Sequence, residues 1–234
     1  MMNYKRNFWI KKLSIVLVLF SISIFSQQLY VSESLGLDSN SGSQSFPFKT
    51  INKAISESIP GTTIFVMNGV YRNQNYGSGL DGTSLNNNPV VNFNQSGSLG
   101  LPIILKNLDG HSPKIEFDGN GGIKFANGVN NIIVEGFEIE GPSAYISYDQ
   151  AIADREYKIL LSEDDDPNTN WNNQYFNGKG IWGYGPHNNI IIRNNTVYNT
   201  PGSGIRFNDS DYITVENNIV YNSTWWTSSA SSAI

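Results

Sequence analysis

Four side chains that can bind an acidic sugar polymer occupy equivalent positions of a repeated motif. Copies of Gly-Ile-x-(Phe/Gly) place Lys124, Trp182 and Arg206 at x, and Asn92 occupies the matching position of an earlier strand. Because side chains alternate along a strand, x points outward while the flanking apolar residues point into a core. Cations neutralise carboxylates and an indole packs on sugar faces, so this column suits a chain of acidic sugars. The alternative is a solvated strand face whose aromatic residue packs under a loop.

The column depends on a repeat that predicts a solenoid. Segments 122–141, 180–199 and 204–222 each open with Gly-Ile and continue with an apolar run, a charged residue, Gly or Asn-Asn, and another β-branched residue. The last two superpose at a constant offset of 23 residues. Such a period, made of short strands and Asn/Gly corners, is typical of a solenoid with one coil per repeat. Further strands at 62–67, 102–107 and 114–117 indicate three strands per coil, an all-β parallel β-helix.

The N-terminus predicts export. Lys5, Arg6, Lys11 and Lys12 precede the apolar stretch 13–25, which is too short to span a bilayer and is followed by Ser26. We expect a signal peptide over residues 1–26 and a secreted protein, whether extracellular, periplasmic or on the cell surface, that is not inserted in a membrane after signal removal. A membrane anchor is the alternative. The net charge of −5 becomes more negative once these basic residues are removed, which disfavours nucleic acid as a partner. The chain has no cysteine, so disulfides and thiolate metal sites are excluded.

The remaining chain divides into an N-terminal unit and the coils. Residues 27–61 predict a strand and a short α-helix capped by Thr50, with Ile51, Ala54 and Ile55 on one face, which covers the end of the core. Coils fill 62–234, with an inserted loop at 142–179 that contains a helix over 148–161 and an acidic run at 163–166. The chain ends on Ala233-Ile234, which looks like the start of another coil. We therefore expect an incomplete, C-terminally truncated β-helix. We also expect the protein to be a monomer.

Several N-terminal segments carry a family resemblance. They are Tyr30-Val-Ser, Asp38-Ser-Asn-Ser-Gly, Pro47-Phe-Lys-Thr-Ile, Lys53-Ala and Pro60-Gly-Thr-Thr-Ile-Phe-Val with Gly69-Val-Tyr. Together with the coil motif, they resemble the pectate-lyase-like right-handed parallel β-helix superfamily over nearly everything after residue 28. Many of its members are secreted lyases acting on pectate, alginate or chondroitin, and others are glycosidases or proteins of no known activity. The resemblance implies a right-handed β-helix, a polysaccharide lyase that cleaves a uronate-containing polymer by β-elimination, and a substrate groove along the first strand of each coil.

Lyase chemistry sets the candidate roles. It needs a base for the proton next to a uronate carboxylate and a group that absorbs charge on that carboxylate. Lys124 and Arg206 are the candidate catalytic residues by position. Ca²⁺ can supply the second function, bound by carboxylates of the acidic run or of the corner after Arg206, although such charges are often only solvated. The candidate ligands are Glu163, Asp164, Asp209 and Asp211, and the predicted substrate contacts are Asn92, Trp182, Tyr184, His187, Trp225 and Trp226.

Other interpretations stay open. His187, beside Pro186, is alternatively a structural corner residue. A non-catalytic glycan-binding or adhesion solenoid would retain glycan without turnover, a structural spacer would do neither, and a glycoside hydrolase would need two carboxylates facing each other across the groove. A stabilising amide ladder is predicted from the pairs Asn194-Asn195 and Asn217-Asn218, stacked below Asn107 and Asn68.

Overall fold

In the computed structural model the chain winds into a parallel β-helix. The structure describes residues 26–74, 76–77, 88–162, 174–224 and 232–234. The helices are α1 (Ile51–Ser56) and α2 (Tyr148–Ser162), with 3₁₀ turns at Pro142–Tyr145 and Gln174–Asn177. The strands are β1 (Gln28–Val31), β2 (Thr63–Val66), β3 (Val70–Arg72), β4 (Val91–Phe93), β5 (Ile103–Asn107), β6 (Lys114–Glu116), β7 (Gly121–Phe125), β8 (Asn130–Glu135), β9 (Glu138–Glu140), β10 (Lys179–Arg193), β11 (Thr196–Tyr198), β12 (Ile205–Glu216) and β13 (Ile219–Tyr221).

The strands pair in parallel and stack into three walls of the β-helix, which we number as three sheets. The first sheet contains β4, β7 and the first parts of β10 and β12. The second contains β1, β2, β5, β8 and the later parts of β10 and β12, which run through the corner and join the two walls. The third contains β3, β6, β9, β11 and β13. From β4 onward each coil therefore contributes one strand to each wall, which confirms the parallel β-helix of three-strand coils.

Stacked apolar rows form the core. Ile123, Ile181 and Ile205 pair in register on the first sheet, and each is at most 1% exposed. On the third sheet Ile139 pairs with Val197, and both are fully buried. Complete burial of such side chains contributes about 1.5–3 kcal/mol each. A slip of one residue would turn every row toward solvent, so burial fixes the register.

Helix α1 covers the N-terminal end of the core, as predicted. Its N-cap, Thr50, accepts a hydrogen bond from the Lys53 amide, and Ile51, Ala54 and Ile55 are buried. The Asp38 carboxylate accepts hydrogen bonds from the amides of Lys49 and Thr50 and from the Thr50 hydroxyl. These bonds hold the segment that enters the helix.

An asparagine ladder occupies the corner between the second and third sheets. The buried Asn195 amide donates to the carbonyls of Val134 and Arg193 and to Asn218 Oδ1, and its oxygen accepts from the Phe137 amide. Asn218 repeats the pattern by donating to carbonyls of its own and the preceding coil. The predicted ladder is thus present at these two positions.

Fewer asparagines take part in the ladder than the sequence predicted. Asn194 and Asn217, the first members of the two pairs, adopt left-handed backbone conformations (φ 57° and 53°) that turn the corner. Asn68 does not enter the ladder, because its side chain accepts from the Ser112 amide in the next coil. Asn107 donates to the His111 carbonyl within its own turn. The prediction was wrong for these four positions: Asn194 and Asn217 turn the chain, and Asn68 and Asn107 use their side chains in other hydrogen bonds.

The ends and the insertion are described only in part. Residues 1–25, which contain most of the expected signal peptide, lie outside the described residues, and so does the acidic run after α2. Within the described part of the chain, helices are too short or too polar to cross a membrane. Export stays a prediction.

Candidate functional site

The predicted column lies on neighbouring strands of the first sheet. Asn92 on β4 pairs with Lys124 on β7, Lys124 pairs with Trp182 on β10, and Trp182 pairs with Arg206 on β12. Three strand spacings of about 4.8 Å separate the ends, so this first-sheet column spans roughly 14 Å. The predicted alignment is confirmed, and what the four side chains do stays a prediction.

Trp182 is covered and does not present a free ring. Its side chain is 5% exposed, whereas the sequence predicted an open indole. Lys124 Nζ lies 5.0 Å and Lys179 Nζ 5.3 Å from the ring centroid, and Tyr184 packs edge-on at 5.3 Å. The indole also lies against Gly121, where an added Cβ would come within 2.7 Å of Trp182 Nε1. The Trp182 ring therefore makes cation–π contacts with the ammonium groups of Lys124 and Lys179.

Tyr184 supplies the exposed aromatic surface instead. Its side chain is 45% exposed, and the Arg206 Cζ lies 5.6 Å from its ring centroid. Lys179 Nζ is 6.0 Å from the same ring and donates to the Asn177 carbonyl. Sequence reasoning missed Lys179, which stands one residue before the Gly-Ile motif. The signal in the sequence was a cation directly before that motif, and the structure places it at the start of β10, opposite Gly121.

In the part of the chain that the structure describes, the outward cations of the first sheet lack the acidic partners that cations have on the second and third sheets. Among the described residues, no carboxylate pairs with Lys124 or Arg206, and Arg206 Nε donates only to the Asn208 side chain. On the second and third sheets, outward cations in register are neutralised: Lys106 and Arg193 by Glu135, and Lys114 by Glu140. A local positive surface thus stands on an acidic chain, which favours an anionic ligand here.

His187 does not reach this face. Its side chain is 2% exposed, with Nδ1 3.0 Å from the Val129 carbonyl and the ring packed edge-on against Phe125 and Phe207. The register of β10 against β12 shifts between Tyr184 and His187, which turns the imidazole inward. The predicted substrate contact is therefore wrong, and His187 packs inside the coil.

The described acids do not by themselves form a calcium site. Asp209 and Asp211 are exposed on β12, and within the described ranges no three His, Asp or Glu side chains group closely enough to hold a metal ion. Calcium takes 6–8 oxygen ligands, so two exposed carboxylates are a poor fit. Glu163, Asp164, Trp225 and Trp226 lie outside the described residues. Calcium binding stays a prediction.

A polar network on the third sheet was not anticipated. The Tyr198 hydroxyl bonds to Glu138 and to Glu140 (3.1 Å), and Lys114 pairs with Glu140. Burial would raise the pKa of Glu140, but hydrogen bonds from Lys114, Asn199 and Tyr198 outweigh it and lower the pKa. Burial and the hydrogen bond to Glu138 raise the pKa of Tyr198. Both carboxylates lie on one wall and are bonded to their neighbours, which indicates a stabilising network and does not fit carboxylates facing each other across a groove.

Comparisons with known proteins agree with the parallel β-helix fold. Residues 34–229 match a family described as Protein of unknown function (DUF1565). No curated protein matches the sequence. The structure is similar to pectate lyase Pel9A, with a TM-score of 0.57 and 17% identity over 84% of this chain and 40% of that one. A rhamnogalacturonan lyase (TM-score 0.40, 17% identity, 82% and 39%) and the GH136 lacto-N-biosidase from Eubacterium ramulus (0.44, 13%, 82% and 34%) are more distant. This chain thus spans two fifths or less of the length of these structures, and the similarity to Pel9A establishes the fold alone.

Proposed function

We propose a function for this chain, which belongs to the DUF1565 family of parallel β-helix proteins. It is a carbohydrate-active protein that binds an acidic polysaccharide along the first-sheet column. The observation that carries the proposal is the pair Lys124 and Arg206, which face outward in register and have no acidic partner among the described residues. The similarity to a pectate lyase supports the same class of ligand.

The aromatic residues concentrate the cations over one short stretch of the wall. Lys124 Nζ lies over Trp182, Arg206 Cζ lies over Tyr184, and the two rings are in contact. The ammonium and the guanidinium are therefore directed toward a common region although two strand spacings separate their backbones. A uronate unit placed there meets both cations, and the exposed Tyr184 ring offers an apolar surface to the sugar.

β-Elimination is the reaction that these groups suit. A base removes the proton on the carbon next to the carboxylate, the electron pair forms a double bond to the neighbouring carbon, and the glycosidic oxygen leaves and takes up a proton. Negative charge builds on the carboxylate, and a guanidinium that binds it with two hydrogen bonds stabilises that charge. In this proposal Arg206 binds the carboxylate, and Lys124, which reaches the same region, is the candidate base; a lysine amine can accept the substrate proton only after it has released its own.

The test combines binding and turnover on the full chain. Pectate, alginate and chondroitin are incubated with the protein, with calcium and with a chelator, and the unsaturated product is followed by ultraviolet absorbance. Lys124→Ala and Arg206→Ala should each weaken binding roughly 10- to 100-fold, since hydrogen bonds between charged groups contribute about 1.5–3 kcal/mol. Lys106→Ala is the matched control, because that lysine lies on the second sheet beside Glu135.

The outcomes separate the candidate functions. Turnover that Lys124→Ala abolishes supports the lyase, and turnover lost with the chelator supports calcium. Binding without turnover means a glycan-binding protein that does not catalyse. Unchanged binding in both column variants overturns the proposal. Detection of the protein in the culture medium, with residues 1–26 removed, tests export.

A further inference from the structure

A cavity of about 680 Å³ lies at the N-terminal end of the β-helix. Its walls come from residues 49–52 at the start of α1, residues 70–74 in and after β3, and residues around β4, with Glu33 at one side. β3 and β4 are the first strands of the third and first sheets, so the cavity lies where these two stacks begin. Its volume is in the range of small-ligand sites, about 300–1,000 Å³.

Amide side chains dominate the polar lining. Asn52 is already used: its nitrogen donates to the Val90 carbonyl and its oxygen accepts from the Asn92 backbone amide, which holds the start of β4. Asn92 and Asn94 lie two residues apart on this strand and its extension, so they share one face. Within the described residues, their side-chain amides have no hydrogen-bond partner. Two amides are thus free to bond a ligand.

The charged groups of the lining are balanced when Glu116, the partner of Arg72, is counted with them. The Arg72 guanidinium is paired with Glu116, and Lys49 and Glu33 carry opposite charges. An amide offers both donors and an acceptor, which matches a sugar hydroxyl, whereas a carboxylate would use the donors only. The lining therefore favours an uncharged sugar unit.

The cavity continues the first-sheet column. Asn92 lines the cavity and also pairs in register with Lys124. Along one wall, then, the ligand-facing groups change from cations at Arg206 and Lys124 to amides at Asn92 and Asn94. We propose that the cavity binds an uncharged sugar unit of the polysaccharide whose uronate the column holds, an inference that rests on the proposed function. The ligand class becomes a heteropolysaccharide that contains both uronate and neutral sugars.

The experiment compares two oligosaccharides of equal length by calorimetry on the full chain. One contains only galacturonate, and the other alternates galacturonate with rhamnose. The wild type should bind the alternating ligand more tightly. Asn94→Ala, which leaves the first-sheet column intact, should weaken that ligand about threefold to tenfold, from the loss of its amide hydrogen bonds, and change the uronate ligand less than about twofold. Asn127→Ala is the matched control, because Asn127 is exposed on the turn after β7, outside the cavity.

The two proposals fail in different ways. If Asn94→Ala binds both ligands as the wild type does, while Lys124→Ala weakens them, the cavity inference is overturned and the proposed function stands. If Asn94→Ala weakens both ligands equally, the cavity does not discriminate and the inference is again overturned. If the wild type binds neither ligand but binds alginate or chondroitin, the cavity inference is overturned and the proposed function stands, and if it binds no uronate polymer, both proposals fail. Thermal unfolding of each variant excludes a loss that comes from misfolding.

Discussion

Replacement of Asn195 by alanine should destabilise the β-helix more than the same replacement of Asn218, its half-buried counterpart in the next coil. Asn195 is 1% exposed and joins three coils, because it donates to Val134, Arg193 and Asn218 and accepts from Phe137. Alanine removes every one of these bonds and leaves the Phe137 amide without a partner in a buried corner.

The magnitude follows from the partners. A buried amide left without an acceptor costs about 1–3 kcal/mol, and each lost hydrogen bond contributes a further 0.5–1.5 kcal/mol or so. Allowing for water at the partly exposed partners, we expect Asn195→Ala to cost about 3–5 kcal/mol. Asn218→Ala also removes the acceptor of the Asn195 backbone amide, but the Asn218 side chain is half-buried, so we expect water to take its place and the cost to be about 1–2 kcal/mol.

The assay is urea unfolding of both variants, followed by circular dichroism, with the wild type measured in parallel. A lower midpoint at unchanged slope reports a loss of stability alone. The reasoning is refuted if the two variants lose equal stability, because burial of the unpartnered amide would then not set the cost. It is also refuted if Asn195→Ala costs less than about 1 kcal/mol, the value of a single ordinary hydrogen bond.

Two further predictions concern the stability of the β-helix. Gly136 has a φ of +83°, and an added Cβ would lie 2.0 Å from Asn107 Oδ1, so Gly136→Ala should lower the free energy of unfolding by about 2–4 kcal/mol. Gly110→Ala, at φ +80° with open space around the added Cβ, should lose only about 1–2 kcal/mol by the same urea assay. Burial raises the pKa of Tyr71 from 10.0 to about 12, so the folded state holds the phenol proton more tightly than the unfolded state. Its contribution is complete below pH 10 and is lost as the pH rises toward 12, and Tyr71→Phe should weaken this alkaline loss.

Each of these has a clear contrary result. Equal losses at Gly136 and Gly110 would mean that the backbone conformation, and not the contact with Asn107, sets the cost. For the tyrosine, urea titrations at about pH 9 and about pH 11 are compared with those of Tyr212→Phe, an exposed position that should follow the wild type. An alkaline loss as steep in Tyr71→Phe as in the wild type would show that other groups govern it.

The repeat predicted the first-sheet column because the column depends only on alternation along each strand and on a regular repeat in the sequence. Alternation along a strand decides that Lys124 and Arg206 face away from the isoleucine rows, and the recurring motif decides that they align. The capping helix was equally readable, since Thr50 and the apolar residues after it lie within two turns of the chain. Such features need only neighbours in sequence or a constant offset.

The errors share a different cause. Trp182 was expected to be open, yet Lys124 covers it from 58 positions away along the chain, and His187 turns inward where the strand register shifts. The third-sheet network joins Tyr198 to Glu140, also 58 residues apart. No local pattern reports which side chain of one coil lies on which side chain of another.

Sequence alone therefore determined the winding, because apolar residues that recur with the coil period must stack against one another to be buried. The tertiary structure decided which outward groups are paired and which are free. It neutralised Lys106, Lys114 and Arg193 with glutamates of adjacent coils, and among the described residues left Lys124 and Arg206 without an acidic partner. The physical reason is distance: ion pairs and hydrogen bonds act over a few ångströms, and the stacking of coils sets those separations.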